Sequence, residues 1–242
     1  MRGIFVNSER VVVITDVHGC LDECKKLLDK LEFDKSCDRL INLGDTIDRG
    51  PQIYELFTFF HELKEEMGER CVLIMGNHEQ MMLDATGKSE NKKTYKELWY
   101  MNSGEKTVFS FISHKHKINE FRDWYKQMPY YYTEERFQCV HACLEDEDPR
   151  NNTVETLIWG RDTNYTGKLV LTGHTPYRVP VYFCGRDSVN TITEGMWGTL
   201  PEKGMIALDT GCVYGNRLTG MVIEEDRYKV MSVKSNISTR NS

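Results

Sequence analysis

The chain has 242 residues, of which 40% are hydrophobic, and its formal net charge is −6. This length and composition allow one sizeable core, so we expect a single domain. The acidic balance argues against a nucleic-acid partner, and no apolar run approaches the roughly 18–20 residues that span a membrane. The N-terminal segment lacks a secretory pattern and the eight cysteines include no C-x-x-C pair, so we expect a cytoplasmic protein with reduced thiols.

The N-terminal third alternates between short apolar runs and helical patterns. The runs at 10–15, 40–43 and 71–75 predict buried strands, and apolar residues at helical spacing over 21–31 and 53–63 predict two helices. This strand–helix–strand–helix–strand order predicts parallel strands joined by right-handed crossovers. Binding sites in such sheets form where the strands end, so we expect the polar residues after each strand to share one site.

The remaining residues are predicted to complete the same α/β domain, which covers 1–242. Residues 86–128 are polar, aromatic and mostly helical in period, which predicts a helical cap or insertion. Strand patterns follow at 137–140, 168–172, 181–183, 205–208, 218–223 and 228–233. Residues 235–242 are expected to form a frayed tail.

Five polar clusters follow the predicted strands. They are D-V-H-G at 16–19, G-D-T-I-D-R-G at 44–50, G-N-H-E at 76–79, the single His141, and G-H at 173–174. A lone histidine at a strand end is more often structural than a metal ligand, and an Asp-Arg pair is more often a surface ion pair. All five clusters are expected to meet at one place, which favours a metal site over separate structural roles. The carboxylates would repel one another there unless divalent cations lay between them.

This order of motifs resembles the phosphoprotein phosphatase family of metallophosphoesterases, in particular its bacterial and phage-type serine/threonine phosphatases. The resemblance spans almost the whole chain, and the second and third motifs carry most of its specificity. The segments 157–162 and 208–220 look like matching parts of the small bacterial and phage members, and the second also resembles bacterial diadenosine tetraphosphate hydrolases. Thr15 and Cys143 stand where the family usually has glycine.

The resemblance implies a metallophosphoesterase fold, with two packed mixed β-sheets flanked by helices in four α/β/β/α layers. It also implies two divalent metal ions that share one carboxylate, with ligands at Asp16, His18 and Asp45 for the first ion and at Asp45, Asn77, His141 and His174 for the second. Manganese is the expected metal, with iron or zinc as alternatives, since carboxylate, imidazole and amide ligands are mixed without thiolates. The two ions would activate a hydroxide for attack on phosphorus.

Catalytic and phosphate-binding roles are implied by the same resemblance. His78 would protonate the leaving alkoxide, and Asp48 would favour the protonated form of its imidazole. Arg49 and Arg161 would bind phosphate oxygens through their planar guanidinium groups, and Asn77 would contact the phosphate as well.

The function expected from this site is hydrolysis of phosphomonoesters on phosphorylated proteins or peptides, at serine and threonine and with dual specificity as an extension. A symmetrical dinucleoside polyphosphate hydrolase, acting on diadenosine tetraphosphate, is the alternative. A catalytically dead metal-binding scaffold is the alternative from another class, and the retained Asp48, Arg49 and His78 argue against it. Substrate discrimination would come from the rim of the site, at 86–127 and in the loop 187–203.

Three cysteines lie next to the motifs, at Cys20, Cys143 and Cys212. We expect them to be small buried residues rather than redox groups.

Overall fold

The computed structural model describes residues 10–185 and 188–237. In chain order the helices and strands are β1 (Val11–Ile14), α1 (Leu21–Lys30), β2 (Arg39–Asn42), α2 (Ile53–Met67), β3 (Cys71–Leu73), α3 (Asn77–Thr86), α4 (Lys92–Met101), α5 (Gly104–Ser113), α6 (Arg122–Tyr125), β4 (Tyr131–Thr133), β5 (Gln138–Val140), α7 (Val154–Trp159), β6 (Val170–Thr172), β7 (Val181–Phe183), β8 (Val189–Thr191), β9 (Trp197–Thr199), β10 (Met205–Ala207), β11 (Arg217–Glu224) and β12 (Arg227–Lys234). Short 3₁₀ turns lie at Gly68–Arg70, Ile118–Phe121, Pro149–Asn151 and Cys212–Tyr214. Within the described ranges, no helix is both long enough and apolar enough to cross a membrane.

The first sheet has the strand order β3-β2-β1-β11-β12-β9. β1, β2 and β3 are parallel neighbours, which the alternating strand and helix patterns predict. β11 then pairs antiparallel with β1, and β12 and β9 continue antiparallel. The sheet is therefore mixed, and the ends of its three parallel strands lie along one edge.

The second sheet has the order β4-β5-β6-β10-β7-β8. β5, β6 and β10 are parallel, while β4 and β7 pair antiparallel at either side of them. The two sheets thus each contain three parallel strands, and the predicted pair of mixed sheets is confirmed.

Side-chain alternation along β1 shows how the layers form. Val11 and Val13 belong to the apolar cluster between the two sheets, together with residues such as Leu171 and Ile206 of the second sheet. Val12 and Ile14 belong to the cluster that packs against α1 and α2. A third cluster covers the outer face of the second sheet beneath α7. Because successive strand residues point to opposite faces, β1 contributes to two layers of core at once.

Helices α4, α5 and α6 all lie within the segment 86–128. Each helix buries one aromatic side chain: Trp99, Phe111 and Tyr125 join the same apolar cluster as α2 and α3. Aromatic rings make much of this contact, since Phe57 of α2 lies within 5.9 Å of the ring centres of Phe111 and Tyr125. The segment therefore packs into the main core of the domain.

Several elements differ from the sequence expectations. Helix α3 begins inside the G-N-H-E motif, directly after the N-cap residue Gly76, where the sequence pattern predicted no helix. The rim loop predicted at 187–203 contains the edge strands β8 and β9, and Asp187 lies outside the described residues. Of the predicted tail, Ser235 is buried and its N–H donates to Asn216 O, while residues 238–242 lie outside the described ranges.

Candidate metal and phosphate site

The polar residues that follow the parallel strands of both sheets lie together. Asp16 and His18 follow β1, Asp45 and Asp48 follow β2, and Asn77 and His78 open α3 just after β3, whereas His141 follows β5 and His174 follows β6. Each of these eight side chains is buried. The structure thus brings together the residues that the sequence motifs predicted for one site.

Asp45 lies at the centre of the cluster. Its Oδ2 atom is 3.3 Å from His18 Nε2, and its Oδ1 atom is 3.5 Å from His141 Nε2. The backbone N–H of His78 also donates to Oδ1 at 3.1 Å. Burial alone would raise the pKa of Asp45, but electrostatic interaction with the neighbouring imidazoles of His141, His78 and His18 holds that pKa well below its usual range. Asp45 is therefore an ionised carboxylate with histidines on both of its oxygens.

Asn77 joins the two histidines of the second sheet. Its Oδ1 atom lies 2.9 Å from His141 Nε2 and 3.1 Å from His174 Nδ1. The N–H of His174 donates to Asp16 Oδ2 at 2.9 Å, so the second sheet is also tied to the loop after β1. Burial, and then electrostatic interaction with the neighbouring His141, lower the pKa of His174 to about 3. A neutral imidazole is the form that binds metal.

Backbone carbonyls orient two of these imidazoles. His18 Nδ1 donates to Ile47 O at 2.6 Å, and His141 Nδ1 donates to Leu43 O at 2.8 Å. A carbonyl can only accept, so Nδ1 carries the proton and Nε2 is left with a lone pair that faces the site. Such second contacts are usual for metal-binding histidines.

The atoms of this cluster fit divalent metal ions. His141 Nε2 and Asn77 Oδ1 are two acceptors held at 2.9 Å, which a cation between them would explain. His174 Nε2 is buried and has no hydrogen-bond partner among the described residues. Ligand atoms of Asp16, Asp45 and His141 lie within 4.8 Å of one another, and so do those of His18, Asp45 and His78. By distance alone His78 could also be a metal ligand, although its Nδ1 atom is already bound to Asp48.

His78 forms a buried pair with Asp48. Its Nδ1 atom lies 2.6 Å from Asp48 Oδ2, and its Nε2 atom is 3.9 Å from Asp45 Oδ2 and has no hydrogen-bond partner in the described ranges. Burial disfavours the charged imidazole, but the carboxylates of Asp45 and Asp48 outweigh burial and raise the pKa of His78 above 6.5. The pair therefore presents a protonated Nε2 to the site.

Both predicted phosphate-binding arginines line one cavity of about 300 Å³ beside the cluster. Arg49 Nη1 donates to His18 Nε2 at 2.7 Å, and its guanidinium lies 5.4 Å from the ring centre of Tyr214. Arg161 is exposed and donates to Thr175 Oγ1 at 3.0 Å. The cavity walls also include Asp45 and Asn77, so the two cations face the candidate metal ligands.

The loops that carry the site are conformationally strained. Ten non-glycine residues in the described ranges have positive φ angles, and six of them belong to the site: Asp16, His18, Asp45, Asp48, Arg49 and His174. A left-handed conformation is uncommon for residues with a side chain and costs of the order of 1 kcal/mol each. Strain of this kind concentrates where the surrounding structure fixes functional groups.

Two buried carboxylates were not predicted as site residues. Glu79 accepts the N–H groups of Thr46 at 2.7 Å, Asp45 at 3.0 Å and Gly76 at 3.1 Å, so it fixes the loops after β2 and β3 against each other. Asp209 follows β10, lines the same cavity and accepts the N–H of Gly211 at 2.8 Å. Burial and then the charge of Asp16 raise the pKa of Asp209 well above its usual range. In the sequence, Glu79 ends the G-N-H-E motif and Asp209 lies in the segment 208–220. These positions were the signals that could have identified both carboxylates.

The two positions that depart from the family pattern have different surroundings. Thr15 is buried, and its hydroxyl donates to Asp16 Oδ2 at 2.5 Å, so it supports a candidate metal ligand. The thiol of Cys143 points toward α7, where Sγ lies 3.6 Å from Thr156 O. Cys20, Cys143 and Cys212 are all buried.

A family model for the calcineurin-like phosphoesterases matches residues 9–218. The chain belongs to this family. It is therefore a metallophosphoesterase, and the family resemblance expected from the motifs is confirmed.

Relatives of this phosphoesterase have two kinds of name. A symmetrical bis(5'-nucleosyl)-tetraphosphatase of Methylococcus capsulatus is 27% identical over 281 residues, covering 92% of this chain and 95% of the relative. Serine/threonine-protein phosphatase 1 of Salmonella typhimurium is 25% identical over 227 residues, covering 88% and 91%. Among the relatives compared, the tetraphosphatase name is the more frequent.

Solved structures support the fold. A putative diadenosine tetraphosphatase superposes with a TM-score of 0.64 at 18% identity, covering 96% of this chain and 95% of the other. A serine/threonine phosphatase of Saccharomyces cerevisiae superposes with a TM-score of 0.60 at 14% identity, covering 98% and 82%. The predicted metallophosphoesterase fold is confirmed.

Proposed function

We propose that this phosphoesterase hydrolyses symmetrical dinucleoside tetraphosphates with two bound divalent metal ions. The observation that carries the proposal is the buried cluster around Asp45 in a chain whose similarity to named tetraphosphatases extends over 92% of its length. The sequence motifs alone favoured a phosphoprotein substrate, whereas the names of most of the relatives compared favour the dinucleotide.

The residues around Asp45 would bind the two metal ions. Asp45 would be shared by two metal ions, with Asp16 and His18 on one side and Asn77, His141 and His174 on the other. When bound, the ions supply Lewis-acid chemistry, which polarises the phosphoryl group and makes water a better nucleophile. Manganese is the ion we expect at this mixture of carboxylate, imidazole and amide ligands, with iron or zinc as alternatives.

His78 would donate the proton from Nε2 to the oxygen that leaves phosphorus. Asp48 keeps that imidazole oriented and charged through the 2.6 Å contact to Nδ1. Arg49 and Arg161 would bind phosphoryl oxygens in the cavity they both line, and Asn77 contacts the same space. A metal ion on His18 Nε2 would release Arg49 from its present hydrogen bond for this purpose.

Geometry next to the cavity offers room for a nucleoside. A groove of about 1230 Å³ shares Arg49, Val213 and Tyr214 with the smaller cavity around the candidate metal ligands. Tyr214 is 54% exposed, which leaves its side chain available for stacking on a base. A phosphate chain held at the metals could therefore extend past Tyr214 into this groove.

A phosphoserine or phosphothreonine protein is the second candidate substrate. The groove beyond Arg49 is lined by the carboxylates of Asp22, Glu55 and Glu105, which would repel the phosphates of a nucleotide and attract a basic peptide. The tetraphosphatase alignment also spans 281 positions, more than the 242 residues of this chain, so that relative has segments without a counterpart here.

One substrate panel distinguishes the two candidates. The purified protein, supplied with Mn²⁺, would be assayed on diadenosine tetraphosphate and on phosphoserine, phosphothreonine and phosphotyrosine peptides, with Asp45→Asn as the inactive control. A kcat/KM for the dinucleotide at least tenfold above that for every peptide would support the first proposal. A preference for a peptide would replace it with a protein phosphatase, and no metal-dependent hydrolysis of any substrate would refute both.

A further inference from the structure

The carboxylate of Asp48 contacts two cap residues as well as His78. Trp99 Nε1 donates to Oδ2 at 2.9 Å and to Oδ1 at 3.2 Å. The hydroxyl of Thr107 donates to Oδ1 at 2.5 Å and accepts the backbone N–H of Asp48 at 3.0 Å. Trp99 belongs to α4 and Thr107 to α5, so two separate helices of the segment 86–128 meet at one carboxylate.

These contacts are buried from solvent. Trp99 is 1% exposed, and Thr107 and Asp48 are fully buried. The indole is held in turn by Gly104, where an added Cβ would lie only 2.4 Å from the Trp99 ring. A hydrogen bond to a buried charge is stronger and more costly to lose than one at the surface. The cap therefore fixes both the position and the rotation of the Asp48 carboxylate.

We propose that Trp99 and Thr107 are positioning residues for the proton donor His78, acting through Asp48. A carboxylate held by two further donors has one orientation left for its bond to His78 Nδ1, and this sets where Nε2 points. The cap would thus be part of the acid machinery, in addition to any contact it makes with substrate. The inference rests on the proposed role of His78, and it does not depend on which phosphate ester is the substrate.

The test removes each hydrogen bond with the smallest change in packing: Thr107→Val keeps the shape of the side chain, and Trp99→Phe keeps an aromatic ring. Trp99→Phe and Thr107→Val would be compared with the parent on a series of aryl phosphates, from p-nitrophenyl to phenyl, in the presence of Mn²⁺. We expect kcat on phenyl phosphate to fall by about 10- to 100-fold, the usual effect of misplacing a catalytic group, with a much smaller fall on p-nitrophenyl phosphate and little change in KM. Thr107→Ser, which keeps the hydroxyl, should restore the parent values.

Matched controls exclude a general loss of structure. Trp124→Phe changes the same residue type in α6, and Thr58→Val removes a hydroxyl that bonds Tyr54 O within α2. Both should leave kcat and its leaving-group dependence unchanged. Melting temperature and bound-metal content of the Trp99 and Thr107 variants would be measured alongside, and metal content should stay at the parent value.

A double-variant cycle decides whether the two residues act through His78. Trp99→Phe should cost less than about twofold in a His78→Asn background, because the group that it positions is already absent. Equal losses in both backgrounds, or equal losses on phenyl and p-nitrophenyl phosphate, would overturn the inference. If His78→Asn itself shows no leaving-group dependence, the acid role of His78 fails first and the positioning role fails with it.

Discussion

His78 Nδ1 lies 2.6 Å from Asp48 Oδ2, and neither side chain is accessible to solvent. An imidazole that is held on one nitrogen by a buried carboxylate has its other nitrogen free to deliver a proton, and Nε2 of His78 has no hydrogen-bond partner among the described residues.

Replacing His78 by asparagine tests that delivery. We expect kcat to fall by about 10²–10⁴ on alkyl phosphates, the usual contribution of general acid catalysis, and by less on aryl phosphates, whose leaving groups need less protonation. Bound metal, measured by elemental analysis, should stay at the parent level, since His78 is not a proposed ligand. An equal loss on alkyl and aryl esters would contradict the acid role, and His114→Asn, at an exposed histidine, is the control.

The protonation of His78 can be followed in the metal-free protein. The carboxylates of Asp45 and Asp48 raise the pKa of His78 above 6.5, so NMR titration should find it charged at a pH where an exposed histidine is neutral. The interactions that raise this pKa contribute their full stabilisation of the folded state below pH 6.5. That stabilisation is lost as the pH rises through the raised pKa. Asp48→Asn should lower the titration midpoint. A midpoint unchanged by the substitution would show that Asp48 does not set this charge.

Asp45→Asn tests the shared ligand. The substitution keeps the size of the side chain but removes the charge on which His18 and His141 converge, so we expect loss of bound metal and of nearly all activity. A chelator should abolish activity of the parent protein, and added Mn²⁺ should restore it. Full activity in thoroughly demetallated protein would disprove the two-metal proposal.

Glu79→Gln tests the carboxylate that fixes the two loops. A glutamine offers one acceptor in place of two and turns an NH₂ group toward backbone donors, so the free energy of unfolding should fall by about 1–3 kcal/mol. Chemical denaturation measures this change. Glu66→Gln, which alters an exposed ion pair with Lys35, is the matched control and should shift stability by less than about 0.5 kcal/mol. Comparable small effects from both substitutions would show that Glu79 does not fix the loops.

The thiols should separate into two classes. Cys37 and Cys184 are exposed and the other six cysteines are buried, so a thiol reagent should modify two groups quickly in the native protein and all eight after unfolding. Burial raises the pKa of the Cys143 thiol, which makes it less reactive. Cys143→Ala should therefore lose activity to mild peroxide at the same rate as the parent. Protection by that substitution would place Cys143 next to the chemistry after all.

The sequence predicts those parts of the structure that depend on local pattern. The buried strands and the residues directly after them, such as Asp45 and His78, are recognisable because apolar runs end in motifs with charged or imidazole side chains. Helix α3 is missed because it begins within the G-N-H-E motif, where Gly76 also indicates a turn. The edge strands β8 and β9 have only three residues each, too few for an alternation to be seen.

Contacts between residues far apart in the chain are not predicted by local sequence patterns. Glu79 is recognised by its backbone partners, and N–H groups are the same for every residue type except proline. Trp99 meets Asp48 across 51 positions of chain, and a buried tryptophan in an amphipathic helix predicts core packing equally well. The contacts around His78 and Asp48 therefore depend on how the helices of the segment 86–128 pack, which the local sequence pattern does not specify.

The two candidate metals differ in what they would join. Asp16, His18 and Asp45 all follow strands of the first sheet, whereas the second ligand set combines Asp45 and Asn77 of that sheet with His141 and His174 of the other. The second ion would therefore act as a cross-link between the two halves of the sandwich. Its departure should speed amide hydrogen exchange at the edge where β3 and β5 end, while loss of the first ion should leave the sheet interface closed.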